Sequence, residues 1–459
     1  MGMTAGSLAR AILPSFIHSR ILTSPIAKRL VSGSLWSLTG SATSRILVLI
    51  AMVLAARTLG PASFGEFGLI QSTLGVAGLM AGLGLGGTAT RFVAQYANSD
   101  PRQAGRIIAL VTLVSWSAAL AVSGLLVAAS AYIARIALAA PELQSAVAVG
   151  ALLLLVMTIR GIQSGILAGL ERFNIIARLN VLEGAVSLVG VVALARLIGV
   201  EGALLGLALG SAVAWVVGRR FLAEALRERD IEVSRAGCSQ HLRILSGYSL
   251  PSLMANLVAT PVLWFAMAFL ARSEHGYAEL GIYNAAYQWH GPIVFIPMIL
   301  MSVSIPILVQ EWEAGRLHRF RKVISGMCGA TLAITLPVVI PIAVASPWVM
   351  ALYGHGFERG WIVLILLLAA APLHALAKIA SGALLGMNRA WSVFGANLAW
   401  GASLCAISLW LVPAHGALGL GIAFVTAYAL LALTTLALVV SRSRATRGSS
   451  VSTEECDQT

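Results

Sequence analysis

Four charged side chains lie inside long apolar stretches of this sequence, namely Arg45, Arg160, Glu183 and Lys378. A charge in an apolar span is costly, so each is a candidate for ligand binding or proton transfer. An arginine can donate two parallel hydrogen bonds to a phosphate, and a lysine offers a point charge. Arg160 and Lys378 fall towards the inner ends of their stretches and could instead extend to the lipid headgroups. Glu183 is a candidate counter-ion for Arg45 or a proton site.

Arg45 also belongs to a polar stripe. Ser34, Ser37 and Ser41 precede it at three- or four-residue spacing, which places all four residues on one face of a helix. A second stripe of the same kind occurs later in the chain, at Ser249, Ser252, Asn256 and Thr260. These hydroxyls could simply bond neighbouring helices. Because the stripe is duplicated and carries an arginine, we expect Ser41 and Asn256 to line a polar cavity.

Aromatic residues mark a third place of interest. Tyr283, Tyr287 and His290 recur at three- or four-residue spacing. Such rings can stack on sugar rings, but aromatic residues also form belts at the membrane interface. Both interpretations stay open, with Tyr283 and His290 as candidate substrate contacts.

Residue patterns for catalysis are missing from the sequence. It has no GxSxG, HExxH, Walker or dinucleotide fingerprint in a suitable context. Its three aspartates fall outside the apolar stretches, and its four cysteines lack the spacing of a zinc site. We therefore expect no enzymatic activity, no metal site and no cofactor.

The elements that position these residues must be membrane helices. Apolar residues make up 58% of the 459 positions and only 11% are charged, whereas soluble domains have about 25% charged residues. About 20 apolar residues suffice to cross the hydrocarbon core. The lengths of the apolar stretches, which are separated by glycine, proline and charged residues, predict twelve helices. They are 31–56, 64–90, 107–134, 143–168, 178–197, 202–222, 244–271, 280–309, 323–348, 360–386, 391–412 and 416–440.

The distribution of basic residues predicts the orientation. Lysine and arginine concentrate in 1–29, in the even-numbered connections, including the linker 223–243, and in the tail 441–459. Basic residues mark the cytoplasmic face, so both termini should be cytoplasmic in an inner (plasma) membrane. Few lie on the other face, and they are Arg57, Arg135, Arg196, Arg272 and Arg359. The net charge of +13 is thereby explained by contacts with membrane lipids, and nucleic acid is not expected as a partner.

The chain also contains an internal repeat. SGILAGLERF, which begins at Ser164, matches SGALLGMNRA, which begins at Ser381, and the same shift aligns Asn180 with Asn397. The repeat predicts an all-α membrane protein of two parallel six-helix bundles, 31–222 and 244–440, around a central cavity. Parallel repeats of this kind are typical of transporters that expose one site alternately to each side of the membrane.

Two segments carry a family resemblance. ARTLGPASFGEFGLIQS, closely followed by GLGLGGTATRFVAQY, resembles the opening of Wzx-type oligosaccharide flippases of the polysaccharide biosynthesis family. That family is part of the multidrug/oligosaccharidyl-lipid/polysaccharide exporter superfamily. The resemblance implies translocation of an undecaprenyl-pyrophosphate-linked oligosaccharide from the inner to the outer leaflet for exopolysaccharide synthesis. It also implies a polysaccharide polymerase and glycosyltransferases as partners.

Under this hypothesis Arg45, Arg160 and Lys378 form a path for the pyrophosphate, and Glu183 couples protonation to movement. Two alternatives remain. A multidrug exporter coupled to cations should carry mainly buried carboxylates, and Glu183 stands alone against three cations. A scaffold for a glycan assembly complex would not transport at all.

Overall fold

The computed structural model describes residues 25–234, 236, 249 and 257–456, and regular structure within these ranges is helical. The principal helices are α1 (Pro25–Gly82), α2 (Leu85–Tyr96), α3 (Pro101–Ala128), α4 (Gln144–Gly169), α5 (Phe173–Arg227), α6 (Ala259–Ala271), α7 (Gly276–Tyr287), α8 (His290–Glu313), α9 (Leu317–Val344), α10 (Trp361–Gly386) and α11 (Ala390–Cys456). Short helical segments at Ser130–Tyr132, Ile133–Ala137, Pro141–Leu143, Ser346–Ala351 and Glu358–Gly360 lie in the connections.

The helix α5 is two arms joined at a sharp reversal. Ile198 and Gly199 leave helical geometry, and Gly199 adopts φ 64°, a left-handed conformation that glycine tolerates best. The arms then run back along each other at glycine contacts. A Cβ on Gly206 would lie 2.3 Å from the backbone nitrogen of Val191, and one on Gly202 would lie 1.9 Å from the carbonyl oxygen of Leu194. Glycine is therefore required where the two arms cross.

The helices α1 and α11 are interrupted in a similar way. Gly60 in α1 has φ 75° and is followed by Pro61, whereas Gly416 in α11 has φ 54°. In α11 a Cβ on Gly419 would lie 2.5 Å from the carbonyl oxygen of Leu411, so the chain reverses there too. Gly60 and Gly199 fall in predicted connections between spans, and Gly416 is the first residue of the predicted span 416–440. These breaks explain why three helices exceed the length of one membrane crossing.

Seven helical stretches of the described chain are long and apolar enough to cross a membrane. Of these, the stretches containing α4 and α10 are the most enclosed by protein, with 50% and 56% of their apolar windows buried. Other helices expose large apolar side chains, such as Leu197 on α5 and Trp410 on α11. An all-α membrane protein is thus confirmed, while twelve spans in two parallel repeats stay a prediction.

The repeated sequence segments end their helices in the same way. After α4 the amide of Arg172 donates to the carbonyl of Leu167 at 2.9 Å, and after α10 the amide of Arg389 donates to the carbonyl of Leu384 at 2.9 Å. Each cap passes through a residue with positive φ, Glu171 at 58° or Asn388 at 59°. This bond pattern is that of a Schellman cap. Equivalent positions of the repeat therefore have equivalent local structure.

The chain packs as two compact units. The first comprises Met1–Met52, Leu74–Ala134 and Pro141–Met254, and the second comprises Val53–Thr73, Arg135–Ala140 and Ala255–Thr459. Two short segments of the first half of the sequence, Val53–Thr73 and Arg135–Ala140, thus belong to the second unit. The bundle boundaries 31–222 and 244–440 stay a prediction.

Close backbone contacts explain one of these assignments. Within the second unit, a Cβ on Gly65 would lie 1.9 Å from the carbonyl oxygen of Tyr277, and one on Gly281 would lie 1.9 Å from that of Pro61. The part of α1 around Pro61 and Gly65 therefore packs directly on α7.

Candidate substrate and coupling sites

Arg160 is the centre of a polar network in the first unit. Its side chain is only 4% exposed, and its Nη2 donates to Asn180 Oδ1 at 3.0 Å. It also donates to the Ser164 hydroxyl one turn along α4. Its Nε lies 3.5 Å from Oε2 of Glu183. Asn180 and Glu183 both belong to the first arm of α5, so this arginine ties α4 to α5.

Glu183 is held from the opposite side as well. The hydroxyl of Ser211, on the second arm of α5, donates to its Oε1 at 2.7 Å. The close approach depends on Gly210, where a Cβ would lie 2.8 Å from the carbonyl oxygen of Glu183. Glu183 is 26% exposed and so keeps partial access to its surroundings. The carboxylate of Glu183 therefore lies between a guanidinium and a hydroxyl.

Arg45 lies beside a contact between α1 and α5. A Cβ on Gly184 would lie 3.2 Å from Leu47 Cβ and 3.3 Å from the carbonyl oxygen of Ser44. Arg45 itself is exposed. Ser41 lies on the same helix, but its side chain is outside the described part of the structure, and Asn256 lies outside the described residues.

Lys378 in the second unit has different surroundings from Arg160. It lies on α10, one residue past the position that the repeat makes equivalent to Arg160, and it is exposed. The repeat aligns Glu183 with Trp400, which is 2% exposed and packs on Tyr428 with ring centroids 5.3 Å apart. Among residues 257–456, no carboxylate lies within ion-pair distance of Lys378. The second half thus has a cation where the first half has an ion pair.

A ring cluster occupies the core of the second unit beside this lysine. It joins α7, α8, α10 and α11 and consists of Tyr283, Tyr287, His290, His374, Phe424 and Tyr428. The stacked pairs have centroid separations of 5.9 Å for Tyr283 and Tyr287, and 5.7 Å for Tyr287 and His290. Tyr283 and His290 are 1% and 4% exposed, and each of them stacks on Tyr287. The structure brings together two predicted site residues, and their contact with a sugar stays a prediction.

Sequence reasoning missed His374 and Tyr428. Their ring centroids are 4.3 Å apart, a closer approach than that of the other ring pairs in the cluster. His374 precedes Lys378 by four residues, so a search for histidines on the same helix face as a cation within an apolar span would have found it. Tyr428 carries no such signal, because its contacts come from helices distant in sequence.

One member of the second polar stripe makes a bond between helices. The hydroxyls of Ser249 and Thr88 lie 2.7 Å apart, and both residues are buried. For this serine, the structure confirms the simpler interpretation that hydroxyls bond neighbouring helices.

Comparisons with known proteins identify the family of this chain. The model of the family described as "Polysaccharide biosynthesis protein" matches residues 30–312, more than half of the chain. The chain is 26% identical over 428 residues to the lipid III flippase of Escherichia coli (strain K12), which covers 87% of this chain and 95% of that protein. It is 26% identical over 198 residues to the EPS I polysaccharide export inner membrane protein EpsE of Ralstonia nicotianae. That match spans 42% of this chain and 45% of the relative, less than half its length.

Solved structures share the fold. An inward-facing multidrug resistance MATE family transporter of the MOP superfamily aligns with a TM-score of 0.73 and 17% identity, over 88% of this chain and 96% of that one. The lipid II flippase MurJ in an inward closed conformation aligns with a TM-score of 0.69 and 15% identity, over 88% and 87% of the two chains. The fold is therefore that of a membrane transporter.

Proposed function

Because this chain belongs to the polysaccharide biosynthesis protein family, we propose that it is a flippase for an undecaprenyl-pyrophosphate-linked oligosaccharide. The oligosaccharide moves from the inner to the outer leaflet of the bacterial inner membrane, by exposure of one binding site alternately to the two sides. Support comes from the names of the relatives, one a lipid III flippase and one a polysaccharide export protein. Glycosyltransferases would supply the lipid-linked product, and a polymerase would consume it.

The observation that carries the proposal is the charge balance of the apolar helices. Lys378 has no carboxylate partner in residues 257–456, and Glu183, which lies within the predicted span 178–197, is matched by Arg160. A cationic drug would require unpaired carboxylates, whereas a pyrophosphate requires cations and hydrogen-bond donors. The charges therefore favour an anionic substrate over the cationic drugs of a multidrug exporter.

We assign different roles to the three cations of the predicted pyrophosphate path. Arg45 and Lys378, both exposed, contact the pyrophosphate directly. Arg160 is occupied by Asn180, Ser164 and Glu183, so it can reach a phosphate only when its attraction to Glu183 weakens. Protonation of Glu183 would remove that attraction, which makes this acid the coupling residue. Both termini are placed in the cytoplasm under this proposal.

Translocation in proteoliposomes tests the function. Vesicles are prepared with purified protein and a fluorescent undecaprenyl-pyrophosphate sugar, and an impermeant reductant added outside quenches the label on the outer leaflet. Flipping makes the remaining label accessible with time, so quenching should go beyond the initial outer-leaflet fraction. Quenching that stops at the level of protein-free vesicles, with folded protein present, would contradict transport and favour a scaffold. Competition by a hydrophobic cation but not by a lipid pyrophosphate would favour the drug exporter.

A further inference from the structure

Two histidines from different helices form a stacked pair inside the ring cluster. His290 begins α8 and His374 lies on α10. Their ring centroids are 5.3 Å apart and the ring planes differ by 14°. Phe424 and Tyr428 pack on the pair, at 5.2 Å from His290 and 4.3 Å from His374 respectively. The arrangement holds two imidazoles in contact within an aromatic wall.

Each imidazole of the pair has a ring nitrogen without a partner. His290 Nε2 and His374 Nδ1 are buried and make no hydrogen bond with the described residues. A neutral imidazole has one donor nitrogen and one acceptor nitrogen. Buried polar atoms in proteins are nearly always satisfied, so an exception calls for an explanation. A proton that arrives during the working cycle provides one.

The charges around the pair determine when it can hold a proton. The titratable groups that face it are Tyr283 and Tyr287 from α7, Tyr428 from α11, and Lys378 on the same helix as His374. Lys378 lies four residues beyond His374, a rise of about 6 Å along the same helix face. Like charges at this separation disfavour one another, and two protonated imidazoles in contact would do so even more. The pair therefore accepts at most one proton, and only when Lys378 is neutralised.

We infer that the pair of His290 and His374 takes up one proton, on either imidazole, when an anionic group binds at Lys378, so that substrate and proton are taken up together. The inference rests on the proposed function, because it takes the lipid pyrophosphate as the anion. The proton passes from water to one imidazole nitrogen, where an N–H bond forms with no change in oxidation state. When the anion departs, repulsion by Lys378 returns the proton to water.

Proton uptake on ligand binding tests the inference. Purified protein in detergent is titrated with undecaprenyl pyrophosphate in a weakly buffered solution between pH 6 and 8, and an indicator dye reports the protons absorbed. The wild type should absorb up to one proton per bound molecule more than its variants. Its log Kd should change with pH with a slope approaching one, as linkage to one proton requires.

Matched variants separate the pair from other groups. His290→Phe and His374→Phe keep the stacked rings but remove the nitrogens, and His290→Asn and His374→Asn serve if the larger ring disturbs packing. Each should abolish the extra uptake and flatten the pH dependence. His415→Asn, at an exposed position of α11, should leave both unchanged. The ionisation of the pyrophosphate itself contributes equally to the wild type and to every variant, so it cancels when their proton uptakes are subtracted.

The outcomes distinguish this inference from the proposed function. Tight binding with equal proton uptake in wild type and histidine variants overturns the inference and leaves the flippase proposal intact. Uptake that survives both histidine changes but disappears in Glu183→Gln assigns the proton to the first unit and also overturns it. Failure of the folded wild type to bind undecaprenyl pyrophosphate overturns both.

Discussion

The guanidinium Nε of Arg160 lies 3.5 Å from Oε2 of Glu183, and this pair joins α4 to the first arm of α5. The repeat aligns that acid with Trp400, so the second half lacks the corresponding pair. The two repeated sequence segments thus differ in charge at equivalent positions.

Removal of Arg160 should destabilise the protein. Arg160→Met leaves Glu183 beside an apolar chain, and breaking a buried pair costs about 3 to 5 kcal/mol. Because Glu183 is 26% exposed, we expect the free energy of unfolding to fall by about 3 kcal/mol. Thermal unfolding in detergent measures it. The double variant Arg160→Met, Glu183→Gln should recover most of the loss, and a double variant as unstable as the single one would show that the pair contributes little.

Neutralisation of Glu183 should impair transport and preserve folding. Glu183→Gln keeps an oxygen that can accept the Ser211 hydroxyl bond of 2.7 Å but cannot exchange a proton. Initial rates in proteoliposomes with an imposed pH gradient provide the measurement. Glu201→Gln is the matched control, since Glu201 also lies in α5 and accepts a serine hydroxyl at 2.7 Å, from Ser145. Wild-type rates in a folded Glu183→Gln protein would remove the coupling role.

Loss of Lys378 should weaken binding of a lipid pyrophosphate. A hydrogen bond to a charged group contributes about 1.5 to 3 kcal/mol, so Lys378→Ala should raise Kd roughly 10- to 150-fold. Arg45→Ala should act in the same direction, and Arg45→Lys less strongly because the charge remains without the planar fork. Lys322→Ala, at an exposed position of α9, is the control. Unchanged affinity in both alanine variants would contradict the cationic path.

A methyl group at the crossing of the two arms of α5 should be damaging. In Gly206→Ala the new Cβ would meet the backbone nitrogen of Val191 at 2.3 Å, so the arms must separate. Such overpacking costs about 1 to 3 kcal/mol. Gly124→Ala in α3 meets nothing within 4 Å and should be neutral or stabilising by up to about 1 kcal/mol, through helix propensity. Thermal unfolding of the two variants compares these effects, and equal stability would contradict the packing of the arms.

Topology can be measured with single cysteines in a background from which the native four are removed. Both Asp230 and His355 are exposed, so a cysteine at either position can react. With the cytoplasmic termini inferred from the basic residues, an impermeant thiol reagent on intact cells should label position 355 and spare position 230. The reverse pattern would invert the proposed orientation.

Much of this protein's character followed from its sequence alone. The scarcity of charge and the length of the apolar stretches determine a helical membrane protein. In lipid the backbone hydrogen bonds must be made within the protein, and apolar stretches of about 20 residues or more make them as helices. The family prediction, carried by ARTLGPASFGEF and the segment after it, is confirmed by the match over residues 30–312. The glycine breaks at Gly60 and Gly199 also fall in predicted connections, and the break at Gly416 falls at the predicted start of the last span.

The contacts of the charged and aromatic residues were decided by tertiary structure. Helical periodicity places His374 and Lys378 on one face, but it does not say that His290 and Tyr428 meet that face. Glu183 was a candidate partner for Arg45, and the fold sets it 3.5 Å from Arg160, a pair that the sequence did not indicate. Each of these contacts depends on how one helix is rotated against another. In a span that is apolar on nearly all sides the hydrophobic pattern does not set that rotation, which is determined by small-residue contacts such as Gly190 on Gly206.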